Sequence, residues 1–447
     1  MIQLIESLGA AGSRNSTSGD VSGMAIGRHD SRDVALLLAS MGLNSLPWGF
    51  TLVVLPIYLS DVGFSAQVIG AVTSVSSVAN TIGLIPFAIA ADRYGHRRFV
   101  LAGFLSSTVA YLLFALTRDL SSLLLASALG GVGLAGGLSS AVWTPAWTAL
   151  LADKSHERRT GAFAWSQAVW ALALSAGSAM AVIPFLLRAK LNVPFGTSYE
   201  YAFLLLVGFA VISGVVLLPV RESPTKRPES ASFGGWFRLG SRSQIVKFSV
   251  TIGMVGFASG LAVQLLSLWF NKMYGASDTV LGPWFGAAEA TSLLVVPFIS
   301  KLTGRFGSPK SVLLTQGLSS VLLAAMVVAP TYQFAASLYI ARTLFVNMAW
   351  PIQQSYLMGT VTPEERASAS AITYMVWGIG SSIGPVLAGY TLSGTGFISI
   401  SVPPLLGGAI YLGSAIGFYL FFRNIAPPEE RGVIGRGRFG VPRPRLG

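Results

Sequence analysis

The 447-residue chain is 52% hydrophobic and 11% charged, with a formal charge of +12. An ordinary soluble domain is about a quarter charged, so this much apolar surface exceeds what one globular core buries and is expected to face lipid. Without cysteine there is no disulfide or thiolate site, and the three scattered histidines, His29, His96 and His156, lack metal-ligand spacing, which disfavours metal, redox and cysteine chemistry.

Residues 1–32 are rich in Gly and Ser and hold no apolar run of signal-peptide length, so a disordered cytoplasmic tail is expected there. Apolar segments of about 20 residues, enough to span a bilayer as helices, then recur to the end of the chain. Twelve are predicted, beginning near residues 34, 65, 98, 121, 161, 200, 246, 279, 310, 334, 367 and 398. The longest polar interruption divides them six and six. It predicts an amino-terminal bundle over 33–220, a cytoplasmic linker over 221–244, a carboxyl-terminal bundle over 245–422 and a basic cytoplasmic tail over 423–447. With the amino terminus inside, 25 of the 30 Lys and Arg fall on the cytoplasmic side, four fall outside and Arg342 lies within a span. That bias predicts both termini inside a cell membrane.

The halves match each other in order. Leu55-Pro-Ile-Tyr-Leu pairs with Leu266-Ser-Leu-Trp-Phe, and Asp92-Arg-Tyr-Gly-His-Arg-Arg98 with Gly304-Arg-Phe-Gly-Ser-Pro-Lys310. Trp143-Thr-Pro145 pairs with Trp350-Pro351. A repeat in step predicts a transporter of two related bundles around one site.

The stretch from Ala88 to Arg98 resembles the loop motif Gly-x-x-x-Asp-Arg-x-Gly-Arg-Arg of the major facilitator superfamily, with Ala88 for the leading glycine. The resemblance covers residues 33–422, in a drug-transporter-like or unassigned subgroup. It implies an all-α membrane fold of twelve helices in two pseudo-symmetric six-helix bundles, working by alternating access. It also implies that Asp92, with Arg93, Gly95, Arg97 and Arg98, gates the cavity; Gly304, Arg305, Gly307 and Lys310 form the second copy. The alternative for the arginines is contact with anionic headgroups. Two family features differ: Ser127 stands where a fourth-span arginine is expected, and the Gly-Pro pattern of drug antiporters appears in the eleventh span, Gly380 to Gly389, rather than the fifth. Those glycines are expected to form a close-packing helix face.

Of 18 carboxylates only Glu289 lies well inside a span, and Arg342 is the only deeply placed base. Intramembrane charges cost about 2.5–3.5 kcal/mol or more, so they are expected to meet a partner or a wet cavity. Helical rise puts the two within roughly 3 Å of one depth. Two readings stand side by side: a cavity pair whose protonation couples transport, and a permanent structural ion pair. Polar and aromatic residues at membrane depth supply candidate cavity positions: Asn44, Trp48, Trp143, Trp147, Gln167, Gln264, Asn347, Trp350, Gln353, Gln354, Tyr374 and Trp377. Their alternative is helix packing or an interfacial aromatic belt.

The expected function is a secondary active transporter or permease for a small organic solute, efflux included, with proton coupling left open. Alternatives are a facilitative uniporter, a lysolipid flippase or a non-transporting sensor. No phosphate loop supports ATP drive, and no catalytic constellation supports an enzyme. No cofactor, metal or nucleic acid is expected, and the chain is read as a monomer in the bilayer.

Overall fold

A computed structural model of the chain describes residues 21–130, 136–155, 159–222, 240–362 and 365–425. The expected carboxyl-terminal tail beyond 425, most of the linker and residues 1–20 of the expected amino-terminal tail lie outside these. Helix already begins at Val21, earlier than the sequence pattern predicts, and runs on through Pro47 and Pro56 to Asp61.

Helices dominate because lipid offers the backbone no hydrogen-bond partner, so each apolar run must satisfy its own N–H and C=O groups. In chain order they are α1 Val21–Asp61, α2 Ala66–Tyr94, α3 His96–Leu116, α4 Leu120–Leu129, α5 Gly137–Lys154, α6 Arg159–Ala179, α7 Ile183–Leu191 and α8 Phe195–Leu217. The second half repeats the plan with α9 Arg242–Ala262, α10 Leu266–Tyr274, α11 Asp278–Ala290, α12 Val296–Phe306, α13 Ser308–Ala325, α14 Tyr332–Thr360, α15 Arg366–Leu392 and α16 Phe397–Phe422. Among the described residues nine helices are long and apolar enough to cross a membrane. A tenth crossing is the bent pair Asp278–Leu293 and Pro297–Phe306, broken by 60°. At the two other expected positions stand the helices α4 and α5, and α14, whose Arg342, Asn347, Gln353 and Gln354 dilute its apolar character.

The starts are set by local chemistry. Ser65 caps α2 by accepting from the Val68 N–H, and Thr331 caps α14 by accepting from Phe334. In the α3–α4 connection Asp119 accepts from Ser122 N at 2.9 Å and Ser121 Oγ at 2.6 Å, which pulls its carboxyl down to about 2.

The internal repeat is visible in the backbone. Gly95 (φ 104°) and Gly307 (φ 75°) both end a helix by donating to the carbonyl four residues back, Ala91 and Thr303, in a conformation that favours glycine. In each half the first helix packs on the fifth span's equivalent through a glycine set against a backbone carbonyl: Gly49 on Leu174 O in α1–α6, and Gly256 on Trp377 O in α9–α15. Since helices alternate in direction, the Gly95 and Gly307 loops and the end of α16 share one face of the molecule, here the near face. The α1–α2 and α15–α16 connections lie on the far face.

Candidate functional site

At the near face, Asp92 is largely exposed, 70% by side chain, and accepts from His96 Nε2 at 3.0 Å. Glu222, just past α8, accepts from the backbone N–H of His96 at 2.8 Å and of Arg97 at 3.3 Å, and lies 3.5 Å from His96 Nδ1. The Arg97 guanidinium donates to Leu218 O at 2.5 Å. Arg93 and Arg98 are exposed. The motif therefore closes on its own bundle, through an acid that sequence reasoning missed because Glu222 lies 130 positions from Asp92. In the second copy Gly304 is open, Arg305 lies over the Phe306 ring, 5.3 Å from its centroid, and Lys310 is exposed. The carboxyl bundle has its own anchor: Glu365 accepts from Gly240 N at 2.5 Å and Ser241 N at 3.1 Å, and hydrogen bonding from the Ser241 side chain, together with these N–H groups, lowers its carboxyl below the ordinary range. Its amino-bundle counterpart is the Lys154–Asp33 ion pair at 2.9 Å.

At mid-depth, Glu289 and Arg342 lie close enough to interact through space, but among the described residues no ion pair within 4.0 Å joins them. The direct pair expected from depth alone is therefore not formed in this conformation. Helical rise fixes height but not direction around the axis, and Arg342 turns instead over the Tyr411 ring, 5.2 Å from its centroid. Arg342 is 4% exposed, and its Nε and Nη2 have no hydrogen-bond partner among the described residues; neither has Thr343 Oγ1 beside it. Glu289 is half-buried, just before the helix tightens into the 3-10 turn Thr291–Leu293.

The candidate cavity residues separate into groups. Trp147 donates from Nε1 to Leu37 O at 3.0 Å, and Gln353 donates to Gln316 Oε1 at 2.9 Å, while Gln316 donates to Tyr411 O; these side chains brace their own bundles. Gln264 sits in the break between α9 and α10. Its Nε2 donates to Ser381 Oγ at 2.7 Å, and its Oε1 accepts from Ser77 Oγ of the other bundle at 3.4 Å. Asn44, fully buried, and Trp48, one turn further along α1, have no partner for any polar side-chain atom among the described residues; Trp143 Nε1 has none either. Trp48 meets Trp170 edge-on at 5.0 Å. Trp350 packs on Tyr374 at 5.8 Å and on Trp377 at 6.3 Å. Gln167 and Tyr374 are exposed, and Asn347 and Gln354 are half-buried. Ser127, at the position of the missing arginine, donates to Val72 O.

Polar contacts cross between the bundles in the far half of the described residues. Ser74 Oγ donates to Ser382 O at 2.5 Å, Ser267 Oγ to Leu52 O at 3.3 Å, Gln67 Nε2 to Ser393 Oγ at 3.3 Å and Tyr199 OH to Asp278 Oδ2 at 2.8 Å. Asp278, 2% exposed, was not singled out by sequence because it reads as an ordinary span end. Glycines let the backbones meet there: a Cβ on Gly70 would stand 2.3 Å from Pro385 O, and one on Gly282 would stand 2.6 Å from Ser178 O. The far side is sealed.

Two six-helix halves related by an internal repeat, sealed at one end over a mid-membrane layer of polar groups, define a multi-pass membrane transporter. The family model of the Major Facilitator Superfamily matches residues 37–273 and 248–445, and the chain belongs to that superfamily. Multidrug resistance protein 1 of Bacillus subtilis (strain 168) is 23% identical over 366 residues, 80% of this chain and 88% of that protein. Quinolone resistance protein NorA of Staphylococcus aureus (strain MRSA252) is 22% identical over 372 residues, covering 80% and 89%. Among solved structures, a bacterial homolog of the human lysosomal transporter Spinster, inward-facing and unoccupied, superposes with a TM-score of 0.70 at 16% identity, over 91% of this chain and 98% of that one. The nucleoside transporter NupG gives 0.69 at 15% identity, over 88% and 99%. The protein is a transporter and not an enzyme.

Proposed function

We propose that the protein is a secondary active transporter that exports an amphipathic organic solute by alternating access, with Glu289 as the proton-coupling acid. The observation that carries this is Arg342, a guanidinium buried at mid-span with Nε and Nη2 unpartnered by the described residues and with Glu289 within electrostatic reach. An intramembrane cation left without a direct partner is retained against its insertion cost when it serves ions or substrate. Discontinuous helices at α9–α10 and α11–α12 break on either side of this layer, as helices do where transporters hold their cargo. The drug-resistance names of the relatives support an amphipathic cargo and outward movement. The positive-inside bias supports a cytoplasmic near face, so a structure sealed on the far side is inward-open. When Glu289 is ionised it holds Arg342 electrostatically; when it takes a proton, Arg342 is freed for a polar or anionic group of the cargo.

The test is accumulation in proteoliposomes across a pH series. Glu289→Gln is expected to abolish pH-driven accumulation while leaving downhill flux measurable. Unchanged accumulation with unchanged pH dependence overturns the coupling role.

A further inference from the structure

We propose that the cargo is an amphipathic organic oxyanion, a carboxylate, sulfonate or phosphate ester, whose charged end docks on the unpartnered edge of Arg342 and whose apolar end lies on Trp350 and Trp377. This names the substrate class for the transport reading above and rests on that reading. Nε and Nη2 of Arg342, buried and without a hydrogen-bond partner among the described residues, are neighbours along one edge of the guanidinium. Their N–H bonds run parallel, the fork that takes two oxygens of one oxyanion side by side. Tyr411 covers a face of the same group, 5.2 Å from ring centroid to Cζ. A ligand is therefore met along the edge, in the guanidinium plane, which suits an oxyanion and offers an ammonium only like charge. Glu289 is the one acid in the chain that lies well inside a span, and no ion pair within 4.0 Å among the described residues commits it to the fork.

The other buried side-chain atoms without partners share this chemistry. Asn44 Nδ2 and the Nε1 groups of Trp48 and Trp143 can only donate, and among the described residues Asn44 Oδ1 is the single acceptor-only atom in that condition. Spans with donors to spare and so few acceptors select a cargo rich in acceptors. The apolar end follows from the helix that carries the fork. Trp350 lies eight residues beyond Arg342 on α14, about 12 Å along the axis toward the near face. There it is half-buried and packs on Tyr374 at 5.8 Å and Trp377 at 6.3 Å, an aromatic surface between the fork and the unsealed side. A cargo with its charge at one end and an apolar body of about that length satisfies both.

Three probes with one tail and different charge test this: phenyloctanoate, its primary amide and phenyloctylamine. Binding of tritiated phenyloctanoate to the full chain in nanodiscs of zwitterionic lipid, corrected for empty discs, is measured directly and in competition with the other two. The carboxylate is expected to bind about tenfold tighter or more than the amide or the amine. Arg342→Gln is expected to remove that preference. Arg342→Lys, which keeps the charge and loses the fork, is expected to reduce it to about threefold or less, with thermal midpoints showing that both variants fold. Glu289→Gln, which removes the internal rival for the fork, is expected to tighten carboxylate binding. Trp350→Leu is expected to weaken carboxylate and amide by a similar factor, leaving their ratio unchanged. Binding that favours the amine, shows no preference, is absent for all three probes, or keeps its carboxylate preference in both Arg342 variants overturns the oxyanion class. The coupling reading fails separately. Carboxylate binding that needs Arg342, with accumulation indifferent to Glu289→Gln, leaves the class standing and removes the proton acid; accumulation that needs Glu289, with an amine-selective site, does the reverse.

Discussion

Arg342 and Gly384 show at residue scale how one side chain, or its absence, decides an outcome here. Because Arg342 Nε and Nη2 lack hydrogen-bond partners among the described residues, removing the charge strands no described buried group hydrogen-bonded to them. Arg342→Gln is expected to keep or slightly raise the thermal midpoint in detergent while lowering transport about tenfold or more, the pattern of a functional rather than a structural charge. A large fall in midpoint would instead mark Arg342 as a structural residue. Gly384 has the opposite character, since a Cβ would lie 2.3 Å from Leu261 N and 2.4 Å from Gly260 C, with backbone on both sides. Gly384→Ala is expected to cost about 1–3 kcal/mol by overpacking. Gly214→Ala, in α8 with nothing within 4 Å, is expected to be neutral or to gain up to about 1 kcal/mol from helix propensity. Thermal-shift measurement on the pair separates packing glycines from incidental ones.

Among elements, the spans are joined to one another by short polar anchors at the near face. Glu365, just before α15, holds the Gly240 and Ser241 N–H groups that open α9, and this hydrogen bonding lowers its carboxyl. A lowered folded-state value means the anchor stabilises the fold above the ordinary glutamate range and loses that contribution as pH falls through the folded value. Glu365→Gln is expected to lower the thermal midpoint at neutral pH, and the gap from the unmodified protein should narrow as the solution is acidified below about pH 4. Thermal unfolding across pH 3–8 checks it; a gap constant with pH would show that the carboxylate charge is irrelevant. Broken helices are the other decision at this scale. Breaks at Val263–Leu265 and Thr291–Val295 place Gln264 and Glu289 beside unwound turns, where side chains reach across rather than along the helix.

For the whole molecule, the far-side seal is the feature that fixes its state. Gln67 and Ser393 meet at 3.3 Å across the bundles. Gln67→Cys with Ser393→Cys, bridged by a short bifunctional thiol reagent, is expected to stop turnover and to recover on reduction, because the far side must open once per cycle. Transport that continues at full rate with the bridge intact would show that the seal does not move.

The all-helical membrane fold and the order of its apolar spans were legible in sequence because lipid imposes one periodic demand on every crossing: about 20 apolar residues with internally satisfied backbone. The Asp92–Arg98 motif and its echo at Gly304–Lys310 were legible for a similar reason, since a tight turn needs glycine at a set place, and Gly95 and Gly307 do take positive φ. What the tertiary structure alone decided is which polar side chains face each other. Trp147 and Gln353 carried the same composition signal as Asn44 and Trp48, yet the first pair brace their bundles and the polar side-chain atoms of the second have no hydrogen-bond partner among the described residues. Glu289 and Arg342 share a depth but not a direct contact, and His96 meets Glu222 from 126 positions away. Helical spacing fixes height along the membrane; azimuth and long-range contact follow only from how the two bundles pack.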